Sequence, residues 1–193
     1  FDIVWYHNPS WKKHVIASKL TLRDNVCIAA KDLDGDGRVE VAVGAQWNPG
    51  NTLSRRESGS VHYLIAPEDR TQHWTAVQLP NEPTVHRMHW VTPKGDQPQL
   101  VVLPLHGSGN KGGQGDNGVR VFAYEMPKEE VTVPSNWKLT LLDESLHVTH
   151  NFDPFGTELA IGGAEGLKII NAAHPANNEH WIGQPGQVLE SGG

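Results

Sequence analysis

Three short apolar runs recur at one fixed spacing, and that periodicity constrains the fold more than anything else in the chain. Glu40-Val41-Ala42-Val43-Gly44, Gln99-Leu100-Val101-Val102-Leu103 and Glu158-Leu159-Ala160-Ile161-Gly162 begin at 40, 99 and 158, two steps of 59 residues. A glycine-led run follows each of them: Gly59 to Leu64, Gly118 to Phe122 and Gly166 to Ile170. The first two are followed in turn by a run opening on tryptophan, Trp74 to Leu79 and Trp137 to Leu142. The N-terminus fits the same scheme, with Asp2 to Tyr6 as a third strand and Trp11 to Ala17 as a fourth. Short apolar runs separated by glycine, proline and polar residues predict an all-β protein.

Four short strands per unit describe the blade of a β-propeller. The expected organisation is a partial β-propeller over 1–182. It comprises a half blade (1–17), two blades (24–79 and 84–142), a partial blade (147–182), and a tail over 183–193. The period exceeds a minimal blade, and the glycine-rich stretches 50–58 and 107–117 carry the excess. About three four-stranded blades do not close a ring, so the missing blades are expected from the rest of a longer chain or from another subunit.

Between the first two strands of the first full unit lies Asp32-Leu33-Asp34-Gly35-Asp36-Gly37-Arg38-Val39-Glu40. Alternating aspartates on a tight turn aim their carboxylates at one point, and oxygen-only donors suit Ca²⁺ or, less well, Mg²⁺. The expected ligands are Asp32, Asp34, Asp36, the Arg38 backbone and Glu40. The spacing follows an EF-hand loop for six residues and then departs from it. The last acid comes at the ninth position instead of the twelfth, and strand-like residues flank the loop. The second and third units lack these acids, having Val91 to Asp96 and Asn151 to Gly156 in their place.

This loop, followed by an apolar strand ending in glycine, resembles the FG-GAP/VCBS repeat of seven-bladed propellers. The segment from Trp5 to Ile16 resembles a narrower branch, the propeller domain of the aldos-2-ulose (anhydrofructose) dehydratases and related bacterial proteins. The resemblance implies a calcium-stiffened blade, a metal-containing channel cavity and a lyase acting on a keto-sugar.

Eleven histidines stand in the 193 residues. His86 and His89, and likewise His147 and His150, fall on the strand that lines a propeller channel, while His106 falls where a second strand ends. Regular alternation puts members three apart on opposite faces, so at most one of each pair is expected in the channel. His86, His106 and His150 are the expected channel set, a borderline donor set suited to Zn²⁺. His86 or His150 is the candidate base and Arg87 a candidate clamp on a substrate oxygen. Lys111 and Trp90 are candidate sugar contacts, with Trp47 a further apolar platform. His7, His14, His62 and His73 are expected at the surface, and His174 and His180 in a polar tail region without an identified partner. Cys27 is expected to be a buried thiol and not a nucleophile.

The formal net charge of −6 and isoelectric point near 6.0 give no basic footprint for nucleic acid. No apolar stretch approaches a membrane span. The glycine-rich segment from Gly107 to Gly113 lacks Walker spacing and a following helix, and is expected to be a mobile loop over the channel mouth. Two functions remain. One is a metal-dependent dehydratase that eliminates water from a keto-sugar such as 1,5-anhydrofructose or an aldos-2-ulose. The other is a non-catalytic, calcium-stabilised module that binds carbohydrate or protein.

Overall fold

The computed structural model describes residues 1–93, 97–111 and 114–173, together with the backbone of 179–182. These residues form strands joined by turns, with a single 3-10 turn at Pro134–Asn136 and no α-helix among them. β1 (Asp2–His7) and β2 (Lys12–Ser18) make an antiparallel pair. The first four-stranded sheet runs β3 (Cys27–Lys31), β4 (Glu40–Ala45), β5 (Ser60–Ile65), β6 (Thr75–Leu79), each strand antiparallel to its neighbour in chain order. The second repeats that order with β7 (Val85–Val91), β8 (Gln99–Pro104), β9 (Val121–Glu125) and β10 (Lys138–Asp143). The third comprises β11 (Thr149–Phe155), β12 (Glu158–Gly163), β13 (Gly166–Asn171) and β14 (Glu179–Ile182).

The three runs that set the sequence period are the second strands β4, β8 and β12. In β4 and β8 every residue after the first is buried, as expected of a strand covered on both faces, where a continuous apolar run replaces alternation. Apolar clusters fill the gaps between successive sheets. Ala42, Tyr63 and Val77 of the first sheet meet Met88, Trp90 and Tyr124 of the second. Val101, Leu103 and Val121 of the second meet Phe152, Leu159 and Ile161 of the third. Ile3 and Ile16 of the N-terminal hairpin cover Val41, Val43 and Leu64. The first strands lie side by side, β3 against β7 and β7 against β11.

The strand pattern departs from the sequence reading at two places. Residues 151–155, expected as a turn, continue β11 and pair with β12 through Phe155↔Glu158. The third sheet also has a fourth strand, β14, paired with β13 from Leu167↔Ile182 to Ile170↔Glu179. At four residues, β14 is too short to show a periodicity of its own. The expectations for Lys94, Gly95, Asp96, Gly112, Gly113, His174 and the tail 183–193 lie outside the described residues.

Candidate functional site

His86, His106, His147 and His150 lie at one rim of the sheets, where first strands begin and second strands end. A β-bulge sits between Val85 and Arg87 of β7, and another between Thr149 and Asn151 of β11. The extra residues are His86 and His150, so the two histidines occupy equivalent positions on neighbouring sheets. A bulge re-aims the side chain it carries. The His86 and His150 rings meet edge to face with centroids 4.9 Å apart, and Trp47 stacks on His86 at 5.1 Å. The bulge also overturns the alternation expected of β7. His89, three residues on, reaches the same neighbouring strand and packs against Phe152 at 4.8 Å.

His86 is buried and His150 exposed. Burial, reinforced by the Arg87 charge and by His150 and His106 nearby, pushes His86 down to about 4, so its imidazole is neutral at neutral pH. Arg87 Nη1 donates to the His86 carbonyl at 3.0 Å and lies 3.5 Å from its Nδ1. A guanidinium has only donors to offer. It therefore favours the tautomer with the lone pair on Nδ1 and the proton on Nε2, and Nε2 is buried without a hydrogen-bond partner. His106 follows β8, with its backbone bridged to Val148 and its N–H donating to Thr84 Oγ1 at 3.2 Å. Burial lowers its pKa, and its Nδ1 is likewise buried and unpartnered.

In this structure the three imidazoles do not bring one ring nitrogen each within 4.8 Å of the others. Among the described residues, the acids Asp32, Asp34 and Glu40 are the group of three or more donors with ligand atoms all within 4.8 Å of one another. His86, His106 and His150 form no such group, and Arg87 already flanks one nitrogen of His86.

The acidic trio lies at the opposite rim, on the β3–β4 turn. Gly35 and Gly37 both take positive φ there, which lets the chain fold back on Asp32. Its two oxygens accept the Gly35 and Gly37 N–H groups at 2.7 and 2.9 Å. Glu40 Oε2 accepts from the Leu33 N–H at 2.8 Å, and Asp34 Oδ1 from Asp36 at 3.1 Å. Burial, and then the Asp34 and Asp36 charges, push Glu40 above the usual carboxylate range against the pull of the Leu33 bond. Like charges held this close favour a cation among them. Asp36 stands apart from the trio, its Oδ1 accepting the Arg38 N–H at 2.7 Å.

The other residues singled out in the sequence fall in varied surroundings. Trp90 is 4 % exposed and packs among Tyr63 and Trp137 in the core, out of reach of a sugar. His62 and His14, expected in solvent, are buried, the latter stacked on Trp5 at 4.7 Å. His7 and His73 are exposed, as expected. Lys111 is exposed, with its backbone bridged to Gln114. The stretch that begins at Gly107 is tied down instead of free: Gly107 N–H donates to the His147 carbonyl at 3.1 Å and Gly109 N–H to Thr52 at 3.0 Å. Burial pushes the Cys27 thiol up to about 12, which leaves no thiolate for nucleophilic work.

One rim contact has no sequence signal. Glu165 Oε1 accepts from the His147 backbone N–H at 2.8 Å and lies 2.7 Å from its Nδ1, orienting that ring across 18 residues of chain. The sequence matches no protein-family model, and no curated protein matches it.

Proposed function

We propose that the stacked sheets are blades of a β-propeller of the FG-GAP/VCBS kind, and that the histidine rim is a carbohydrate hydro-lyase site. The shared in-order antiparallel topology of the three sheets and the side-by-side packing of their first strands support the architecture. The observation that carries the chemistry is the pairing of a buried, neutral His86 with an exposed His150 across two equivalent bulges.

In this reading entry of a keto-sugar such as 1,5-anhydrofructose first uncovers His86 Nε2–H, which is buried and unsatisfied in the free protein, and that group then donates to the ketone oxygen. A neutral imidazole can polarise a carbonyl in this way. His150 takes the proton from the adjacent carbon. The electron pair forms the C=C bond, and the β-hydroxyl takes the proton back from His150 and departs as water, leaving an enone. Trp47 offers an apolar face beside the sugar. No step passes through zinc.

The test is to incubate the chain with 1,5-anhydrofructose and follow the enone by its ultraviolet absorbance. His150→Gln lowers the rate by about 100-fold or more, the usual yield of a positioned base, and His86→Phe lowers kcat by about tenfold or more. Enone formation at the wild-type rate in both variants, or none from the wild type, sinks the lyase reading.

The acidic trio favours a second reading. Asp32, Asp34 and Glu40 would hold Ca²⁺, and the chain would serve as a calcium-stabilised module that binds carbohydrate.

A further inference from the structure

A cavity of about 410 Å³ opens beside the acidic trio, between the β3–β4 turn and the segments flanking β8 and β9. Asp34 and Glu40, two of the three clustered carboxylates, line it. So does Tyr63, which is 6 % exposed and whose hydroxyl has no hydrogen-bond partner among the described residues. Leu33 and Met126 supply apolar wall, and Lys128 stands at its edge. Its size suits a small ligand, and several polar groups converge on it beside the apolar ones, as fixing a ligand's orientation requires.

We propose that this cavity is a calcium-dependent sugar site, in which the cation held by Asp32, Asp34 and Glu40 takes two adjacent hydroxyls of a pyranose and Tyr63 binds a third oxygen. The inference rests on the loop holding calcium, as in the second reading above, and gives that cation a ligand-binding role beyond stiffening a turn.

Three carboxylates leave Ca²⁺ short of the roughly six to eight oxygens it prefers. A cation held by Asp34 and Glu40 would sit against the cavity, which both residues line. Three carboxylates, a divalent cation and Lys128 balance to neutrality, which favours an uncharged polyol over an anion. With no partner among the described residues, the Tyr63 hydroxyl is available to a ligand oxygen in the cavity. Leu33 and Met126 match the C–H face of a sugar ring.

The experiment uses the whole chain in two stages. Calcium is added to EDTA-treated protein and the melting temperature followed. Methyl α-D-glucopyranoside is then titrated by saturation-transfer NMR, with tryptophan fluorescence in parallel, since Tyr63 lies 5.2 Å from Trp137 and 6.2 Å from Trp90. Calcium is expected to raise the melting temperature, and sugar signals to appear with calcium and vanish with EDTA. Asp34→Asn abolishes both effects. Tyr63→Phe keeps the calcium-induced rise but weakens sugar binding by about fivefold, the worth of one hydrogen bond. If calcium leaves the melting temperature unchanged, the calcium loop and the sugar site fall together. If calcium stabilises the chain but sugar binding is absent, or is indifferent to EDTA or to Tyr63→Phe, the calcium loop stands and the sugar site is overturned.

Discussion

His62 sits on β5 with 5 % of its surface exposed and its Nε2 3.0 Å from Ser60 Oγ. Burial pushes its pKa down to about 4, whereas an unfolded chain titrates near the ordinary value of about 6.5. Between those two values the unfolded state binds a proton that the folded state refuses. Stability is therefore complete above about pH 6.5 and declines as pH falls toward 4, by about 3 kcal/mol from this residue at the low end. His62→Gln keeps a partner for Ser60 and removes the titration. Urea midpoints at pH 7 and pH 4.5 are expected to differ less in the variant than in the wild type, and an unchanged difference contradicts the assignment. His62 also shows where the sequence stops being informative at this scale. Its own strand gives it one side, and Leu64, two residues on along that side, packs in a cluster shared with the N-terminal hairpin, which the strand alone does not reveal. His14 is misread for the same reason, because the Trp5 ring that buries it comes from a paired strand.

At the scale of elements, strand positions were legible because the second strands are apolar after their first residue and a glycine or proline falls at or near their ends. The bulges were not, since nothing in Val85-His86-Arg87 differs from a regular strand until β8 pairs with it. Those two bulges decide which histidines meet. The glycine-rich loop after β8 was legible as a loop, but its purpose was not. Its glycines make room for Asn110: a Cβ on Gly107 would lie 1.8 Å from the Asn117 carbonyl oxygen, and one on Gly115 2.2 Å from Asn110 Oδ1. Asn110, 2 % exposed, donates to the carbonyls of Asn117 at 2.8 Å and His147 at 3.4 Å, and accepts from the Asn117 N–H at 3.2 Å. Its own carbonyl accepts from Thr52 Oγ1 at 2.7 Å. One side chain thus joins the loop to the approach of β11, while its backbone joins the loop of the first sheet. Asn110→Ala leaves part-buried backbone groups of Asn117 and His147 without their partner and is expected to cost about 1–3 kcal/mol in urea unfolding. A loss under about 0.5 kcal/mol shows that the loop is not clamped in this way.

Across the whole molecule the sheets stack in chain order, so each gains most of its stability from its neighbours. The second sheet has a neighbour on both faces and contributes to two of the three apolar clusters. Its first strand reflects this: β7 has five of seven residues buried, against one of five in β3 and two of seven in β11. Ile28 of β3 stays 54 % exposed, and Phe155 of β11 47 %. The N-terminal hairpin has only two strands and packs through the smaller cluster around Ile3 and Ile16. Opening free energies in such a stack should rise toward the doubly covered sheet, because exposing it breaks two interfaces instead of one. Native-state hydrogen exchange tests this amide by amide. The slowest amides are expected in β7 and β8, reaching the global unfolding free energy, with those of β1 and β2 exchanging first through local opening. Protection of β1 as strong as that of β8 would mean that the molecule unfolds as one cooperative block, and that stacking order does not set its local stability.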